Sequence, residues 1–401
     1  MPSFLEILQL NNLSQVSLQQ CIISMLAGLG AYLVLALSLR FQRQRNLQKK
    51  FPYTTRESFS RMTDHDAWAI QKTISQMEFP FIVLKSLQFA LFRTYGIPTI
   101  STLLLKTSQF SDPATSFKRY ADTGTLIGEF MAFEPRSERA QTAIARTKFL
   151  HKGYRASGKI LEEDMLYTLG LFAAEPIRFV GLYEWREMSD MERCAVGTYW
   201  KSLGDALSIS YEVLPSGKTG FRDGIHWLEE MCAWSQQYES QHMKPHPRNK
   251  EIADRTIDVL VYNLPGFMKP LGVYFVSYLM DDRLRRAMIL CLRYLALPRP
   301  NLLRLDVFTD KPNKQGRNFV LVYEGAPFYV QPTLWNRWGP IAWCKWVLGQ
   351  PLPGDEGEKY HPQGYSTPNL GPKYFEGKGR KDMEVIKESL REQRTGRCPF
   401  P

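Results

Sequence analysis

Short signatures of the familiar enzyme classes are absent from this 401-residue sequence. It contains no HExxH zinc motif, no GxSxG nucleophile turn, no phosphate-binding loop and no GxGxxG dinucleotide fingerprint. Cysteines are few: there are six, and no two of them have CxxC spacing. This scarcity argues against a zinc cluster and a disulfide scaffold, and it predicts reduced thiols in a protein that faces the cytosol.

Positive charge is missing from the N-terminus. The first 39 residues contain one acid, Glu6, and no lysine or arginine. Within them, residues 22–39 form an uncharged run of 18, IISMLAGLGAYLVLALSL. As a helix this run would span about 27 Å, close to the roughly 30 Å of membrane hydrocarbon. A cleaved signal peptide would need a basic stretch before a shorter apolar run. We therefore expect a single uncleaved transmembrane anchor at residues 21–40.

Basic residues follow the apolar run immediately. Residues 40–61 hold seven lysines and arginines and one acid, which accounts for much of the net charge of +11. By the positive-inside rule, residues 1–20 are expected in the lumen and the rest of the chain in the cytosol. The linker at 41–60 suits anionic lipid headgroups. Because no basic and aromatic residues interleave as in nucleic-acid modules, no nucleic-acid partner is predicted.

Helical periodicity dominates the rest of the chain and predicts an all-α fold. We assign residues 61–350 to one helical domain, with strand-like text only at 318–323 and 328–330. Residues 351–401 are rich in glycine, proline and charge, which predicts a polar C-terminal tail with one short helix at 381–393. The other predicted helices cover residues 64–76, 79–94, 97–106, 113–132, 137–156, 161–174, 190–208, 221–240, 247–263, 266–279 and 281–296.

Tryptophan is concentrated in one short stretch. Four of the nine tryptophans lie within twelve residues: Trp335, Trp338, Trp343 and Trp346. Arg337 and Lys345 lie among them. This mixture is typical of a membrane interface, but ordinary core packing is equally compatible with it.

One predicted helix carries a histidine on its apolar face. Ala140, Ile144, Thr147, His151 and Tyr154 recur at spacings of 4, 3, 4 and 3, so they share one side of the helix. An imidazole that points inward among small residues could ligate a flat cofactor such as haem. The alternative is a core histidine with its hydrogen bonds satisfied.

The preceding helix carries an arginine on an apolar face. Arg119 and Thr123 lie four residues apart, and Leu126 and Phe130 continue the same face. An arginine in this position must find an anion, a carbonyl or a cofactor, because an unpaired buried charge is very costly. The alternative is that its side chain extends to the edge of the apolar face and reaches water.

Four segments together resemble one family: RYADT at 119–123, ARTKFLHKGYR at 145–155, DMLYTLGLFAAEP at 164–176 and EWREMSDMER at 184–193. Their order and spacing resemble the fungal ER-bound oxygenase and rubber oxygenase catalytic-domain family, over roughly residues 60–350. The resemblance implies a globin-reminiscent helical fold that holds haem b. It also implies cleavage of a carbon–carbon double bond in an isoprenoid chain, with dioxygen as co-substrate. The N-terminal anchor resembles that of the membrane-bound fungal branch.

The resemblance also assigns roles to residues. His151 matches the ligand of the haem iron, and Arg119 and Thr123 match a pair that orients dioxygen on the other side of the haem. Asp122 stands where the rubber-cleaving branch has a lysine able to approach the iron. Asp122 cannot act as that cation, and a direct acid–base role is the alternative for it.

Two further haem contacts are predicted from their position on the helix of His151. Thr147 and Arg155 lie one turn on either side of it. We expect Arg155 to approach a haem propionate on grounds of charge.

The functional expectation is an oxygenase of secondary metabolism, anchored in the endoplasmic reticulum membrane, that takes a lipophilic prenylated substrate from the bilayer. The first alternative is a non-catalytic, membrane-anchored protein that binds a prenyl lipid. The second is a redox-inactive scaffold for a biosynthetic complex. Only the oxygenase requires stoichiometric haem. The sequence makes no prediction of the oligomeric state.

Overall fold

The computed structural model describes residues 4–107, 113–290, 311–321, 326–394 and 396–401, with backbone alone for 4–19 and 113–115. The chain divides into two compact units, Met1–Tyr53 and Thr54–Pro401. Each unit is described below by itself.

The first unit consists of two helices, α1 (Phe4–Leu39) and α2 (Gln42–Lys50). The stretch Gln20–Lys50 is long and apolar enough to cross a membrane, and none of its most apolar window is buried. The anchor predicted at 21–40 therefore lies on an exposed apolar helix that qualifies as a candidate span. A second helix, Glu162–Tyr183, also passes on length and composition, but most of it is buried, as in the core of a folded domain.

Helices are the regular secondary structure of the second unit in its described part, which confirms the all-α prediction. The described residues contain no strand, only an isolated antiparallel bridge between Asn318 and Tyr365. The short strands that the sequence suggested at 318–323 and 328–330 therefore do not form among the described residues. The α-helices are α3 (Arg56–Phe59), α4 (Asp64–Thr73), α5 (Pro80–Thr94), α6 (Pro98–Lys106), α7 (Pro113–Ala132), α8 (Glu138–Ala156), α9 (Glu162–Tyr183), α10 (Asp190–Ala206), α11 (Gly224–His242), α12 (Pro247–Leu260), α13 (Lys269–Leu279), α14 (Asp282–Ala287), α15 (Leu334–Trp338), α16 (Pro340–Val347) and α17 (Arg380–Gln393). A π-helical turn spans Ile74–Glu78, and 3₁₀ turns span Gly266–Met268, Thr367–Asn369 and Lys373–Phe375.

Most predicted helices are confirmed within a few residues at each end, and α9 is the main exception. The prediction ended it at residue 174 because Pro176 follows. The helix instead continues past Pro176 to Tyr183, where Phe179 and Val180 are buried in the core. Tertiary packing of this last turn outweighs the backbone hydrogen bond that proline removes. The helix predicted at 281–296 forms over Asp282–Ala287, and residues 291–296 lie outside the described residues.

Pairs of helices form the core. α5 runs along α9, α10 packs on α4 and α11, α7 pairs with α8, and α12 packs on α6. The crossing of α10 and α11 depends on two glycines. A Cβ atom on Gly197 would lie 2.0 Å from the carbonyl oxygen of Gly224, so no larger residue fits there without moving a helix.

A buried ion pair ties four of these helices together. Arg93 on α5 donates to both carboxylate oxygens of Glu239 on α11, at 2.7 Å each, and to Asp281 at the start of α14, at 2.5 Å. Tyr167 on α9 donates its hydroxyl to the same Glu239, at 2.8 Å. Burial alone would lower the pKa of Arg93, but the hydrogen bonds and charge of Glu239 raise it above its usual value. The guanidinium therefore stays charged in the core.

The C-terminal segment, residues 351–401, is part of the second unit. Its helix α17 confirms the one predicted at 381–393, and α17 packs on α8. Arg146 on α8 is fully buried and donates to the carbonyls of Leu370, Phe375 and Lys378, at 2.7, 3.1 and 3.2 Å. Burial lowers the pKa of Arg146 to about 10. A segment whose composition indicated a polar tail is thus fastened to the core through its backbone.

Candidate active site

A large apolar cavity lies among α5 to α10 and the C-terminal segment. Its walls enclose about 1580 Å³ of atom-free space, counting the open mouth. Apolar side chains make up most of the lining, among them Leu91, Ile100, Leu103, Leu126, Phe130 and Phe172. A cavity with these walls suits a flat or chain-like apolar ligand.

His151 lies in the wall of this cavity, as its helical face predicted. α8 begins after Ser137, whose hydroxyl accepts from the backbone N–H of Ala140 at 3.3 Å, and regular helix carries the chain to His151. The His151 Nδ1 is buried and has no hydrogen-bond partner among the described residues. This favours a ligand role for the ring over a core histidine whose hydrogen bonds are satisfied.

The cavity holds His151 in its neutral form. Burial, followed by the positive charges of Arg119 and Arg155, lowers the pKa of His151 to about 4. A metal requires a neutral imidazole, and this one loses no proton when it binds one at neutral pH. No cluster of three or more histidine, cysteine or acidic side chains that could hold a metal occurs among the described residues. A metal in this cavity would therefore need most of its ligands from a cofactor.

Arg119 lies in the same wall. It lines the cavity from α7, and within the described part of the chain its guanidinium forms no ion pair, although its charge acts on Asp122 three residues further on. Its charge acts on the pKa of His151 and also on that of Tyr95, which burial raises and Arg119 lowers. The interpretation that Arg119 lies at the cavity, rather than reaching outward to water, is the one that the structure favours. An anionic or oxygen-rich ligand in the cavity would pair with this guanidinium.

Thr123 and Thr147 also line the cavity, but their hydroxyl hydrogens are already used. Thr123 Oγ1 donates to the Arg119 carbonyl, and Thr147 Oγ1 donates to the Ala143 carbonyl, both at 2.9 Å. In this state each hydroxyl offers a ligand only its acceptor lone pairs. Arg119 is therefore the uncommitted donor of the Arg119–Thr123 pair.

Asp122 lies away from the cavity. It is buried about 60° around α7 from Arg119, where it accepts from Lys118 Nζ at 2.8 Å, Tyr329 OH at 2.5 Å and the Gly371 N–H at 3.2 Å. Burial raises its pKa, and the lysine opposes that shift. These contacts fasten α7 to two later segments of the chain. The position gives no support to the acid–base role considered for Asp122.

Arg155 is also placed outside the cavity. Its guanidinium forms a fork on the Glu162 carboxylate, at 2.8 and 2.7 Å, and donates to the carbonyls of Leu207 and Ser208, at 3.0 and 2.7 Å. The predicted propionate contact is therefore not supported, because an acid seven residues further on already satisfies this arginine. Arg155 instead closes the turn between α8 and α9.

The structure adds wall residues that the sequence patterns missed. Asp164, at the start of α9, lines the cavity and accepts from Tyr238 OH at 2.8 Å and Thr99 Oγ1 at 3.1 Å. An acid at the head of an apolar helix is a signal that could have identified it. Tyr374 and Phe375 come from a 3₁₀ turn in the C-terminal segment, which has no periodicity to reveal them.

Comparison with known proteins covers the helices that form most of the cavity wall. Residues 87–298 match a family described as ER-bound oxygenase mpaB/B'/Rubber oxygenase, catalytic domain. The matched range contains all of α7, α8 and α9, which carry Arg119, His151 and Asp164. The chain belongs to this family. The resemblance seen in the four sequence segments is therefore confirmed.

Relatives in this oxygenase family cover most of the chain. An ER-bound oxygenase mpaB' of Penicillium brevicompactum is 54% identical in an alignment of 389 positions that covers 92% of each chain. An ER-bound oxygenase mpaB of the same organism is 54% identical over 83% of this chain and 84% of its own. An ER-bound oxygenase mpaB of Penicillium roqueforti is 61% identical over 65% of this chain and 87% of its own. These names support an oxygenase, and an oxygenase uses dioxygen.

Proposed function

We propose that this protein is a haem b-dependent oxygenase that cleaves a carbon–carbon double bond in the isoprenoid chain of a lipophilic substrate, in the biosynthesis of a secondary metabolite. One observation carries the proposal. A single apolar cavity presents a neutral histidine with an unpartnered ring nitrogen, and an arginine that forms no ion pair among the described residues. Family membership and the oxygenase relatives support the same reaction class.

The residues of the cavity fit haem b. His151 would hold the iron, the aliphatic and aromatic walls would enclose the macrocycle, and Arg119 would meet oxygen atoms of the cofactor or of its ligand. Bound there, haem would supply the redox chemistry that activates dioxygen. Thr147, one turn before His151, would contact the macrocycle from the same helix.

The remaining steps belong to the protein's own side chains. Arg119 is a preorganised donor in an apolar cavity, where it orients an oxygen-containing ligand and stabilises negative charge as that charge develops. Thr123 beside it supplies an acceptor oxygen. The apolar walls bind the isoprenoid chain and exclude water from it. Insertion of both atoms of dioxygen at the double bond gives two carbonyl products and balances without an external electron donor.

The proposed location is the endoplasmic reticulum membrane, crossed once by residues 21–40, with the second unit on the cytosolic side. The ER-bound names of the relatives support this, as does the exposed apolar helix. A prenylated substrate partitions into a bilayer, so an anchored enzyme meets it at a high local concentration. The membrane is thus a partner of the reaction.

The test is an optical spectrum of the detergent-solubilised full chain, with a haem assay beside it. We expect a Soret band and one haem per chain in the wild type, both lost in His151→Ala. His65→Ala is the matched control, because His65 contacts Glu134 at 3.1 Å and does not line the cavity. It should keep its haem.

Two results would overturn parts of the proposal. Normal haem content in His151→Ala would remove the ligand assignment. A folded wild-type protein that stays colourless after haem supplementation would remove haem itself, and would favour a membrane-anchored prenyl-lipid binding protein.

A further inference from the structure

An exposed aromatic surface lies on α15 and α16, far along the chain from the cavity helices. Its tryptophans, Trp335, Trp338, Trp343 and Trp346, are between 52% and 73% exposed. Apolar neighbours on the same helices are also exposed: Leu334, Ile341 and Val347. We call these seven residues the tryptophan surface. Core packing, the alternative that the sequence left open, is therefore wrong for this stretch.

The tryptophan surface is built on an ordered frame. Thr333 and Asn336 form a capping box at the start of α15. α15 turns into α16 at Gly339, where a Cβ atom would lie 2.4 Å from the Trp335 carbonyl oxygen, so the tight turn needs glycine. Beneath the turn, Arg337 contacts Asp355 at 3.1 Å. Large apolar side chains are thus held outward by local structure.

A segment bonded to the end of α16 also exposes apolar side chains. Gln350, just after α16, donates its side-chain N–H to the Asn263 carbonyl at 2.6 Å. Asn263 precedes the turn into α13, where Phe267 is 84% exposed, and α13 itself exposes Leu271, Tyr274 and Phe275. Soluble monomers rarely expose large groups of apolar side chains, and where they do, the exposed group often marks a binding surface.

We propose that the tryptophan surface inserts into the headgroup region of the bilayer and gives the second unit its own contact with the membrane. Tryptophan is the residue most typical of membrane–water interfaces, and the exposed apolar side chains beside it suit the boundary between lipid headgroups and acyl chains. The bilayer is the partner that we assign to this surface. Only residues 51–55 join α2 to α3, so the proposed anchor keeps the second unit at the membrane. The inference rests on the proposed anchor but adds a second, independent contact.

The test uses the full chain in phosphatidylcholine vesicles whose acyl chains carry bromine close to the headgroup. Bromine quenches tryptophan emission on contact, and residues 1–53 contain no tryptophan, so insertion of the anchor contributes no signal. We expect a loss of emission of up to about four-ninths relative to unbrominated vesicles, since four of the nine tryptophans lie on this surface. Replacing all four by phenylalanine should abolish the loss while keeping the surface apolar.

The matched control changes tryptophans elsewhere in the same unit. Trp68→Phe and Trp234→Phe together should leave the bromine-dependent loss in place, because neither residue belongs to the tryptophan surface. Circular dichroism checks that each variant is folded. Flotation of the vesicles reports separately whether the chain is anchored.

The outcomes separate this inference from the anchor. A chain that floats with the vesicles but shows no bromine quenching would overturn the inference and leave the anchor standing. That chain would then be treated with a cross-linker. If a cross-linked dimer forms and is lost when the four tryptophans become serine, the surface joins two copies of the chain instead. A chain that neither floats nor is quenched would overturn both the anchor and the inference.

Discussion

At the scale of single residues, two charged side chains of the same helix lie in different surroundings. Arg119 and Asp122 are three positions apart on α7, yet only Arg119 lines the cavity. Asp122 holds the helix to later segments through Lys118, Tyr329 and Gly371. A helix turns about 100° per residue, so Asp122 lies only about 60° around α7 from Arg119. This offset is enough for Arg119 to line the cavity while Asp122 contacts later segments. Two nearby residues of one motif thus have different tasks.

Arg119→Gln should retain haem and lose turnover. Removing one preorganised donor from a site where charge develops lowers kcat by about 10²–10³. The hydroxyls of Thr123 and Thr147 offer little compensation, because both already donate to backbone carbonyls. The measurement is turnover per haem with a prenylated substrate.

Arg155→Gln is the matched control for that prediction. It also removes an arginine next to the candidate site, but one that contacts Glu162 outside the cavity. Its turnover per haem should stay within a few-fold of wild type, although the protein should unfold more easily. Equal turnover in the Arg119 and Arg155 variants would contradict the role given to Arg119.

At the scale of elements, the cavity depends on a segment without helical periodicity. Arg146 on α8 holds three carbonyls between Leu370 and Lys378, and the backbone between them presents Tyr374 and Phe375 to the cavity. One buried side chain therefore shapes part of the wall. It acts through backbone positions rather than by contact with a ligand.

Arg146→Met should lower the free energy of unfolding and also weaken the part of the cavity wall formed by residues 370–378. The substitution keeps much of the side-chain volume but leaves three carbonyls without their donor, at a cost on the order of 3 kcal/mol or more. We expect a lower urea midpoint and faster haem loss to an acceptor protein. Arg146→Lys, which restores part of the donation, should fall between Met and wild type. A Met variant that unfolds like wild type would show that these three hydrogen bonds are dispensable.

The sequence predicts some elements of the cavity better than others. Periodicity gave α7 and α8, and it correctly turned Arg119, Thr123, Thr147 and His151 toward one space, because helical spacing alone decides which residues share a face. It could not show that Glu162 satisfies Arg155, since that contact crosses a turn.

The C-terminal wall escaped prediction for another reason. Arg146 binds carbonyls, and a carbonyl is present at every residue, so such a contact leaves no sequence signature. The packing of Tyr374 and Phe375 was not predicted either, because they belong to a 3₁₀ turn that has no helical periodicity. The haem and the likeness to globins stay predictions of the resemblance.

At the scale of the whole molecule, charge around the anchor sets the expected orientation. Seven basic residues follow the apolar run within 40–61, and no lysine or arginine precedes it. Translocating such a basic cluster across a membrane is unfavourable, so the cluster should remain in the cytosol together with the second unit.

Protease added to intact microsomes should therefore degrade the second unit and spare an epitope tag placed at the N-terminus. Detergent should then expose the tag to the same protease, which serves as the internal control. Replacing the five basic residues at 40, 43, 45, 49 and 50 with glutamine should weaken the orientation and protect a fraction of the chains. Complete protection of the second unit in the wild type would reverse the proposed topology.

The hydrogen bonds between Arg146 and residues 370–378 also set an order for biosynthesis. Arg146 and Leu370 are 224 positions apart, so α8 leaves the ribosome well before the stretch that completes the cavity wall. The cavity stays incomplete until that stretch has been translated. Any ligand that needs the finished wall therefore binds late in synthesis, and a ribosome that stalls before residue 370 would leave a protein with an open pocket.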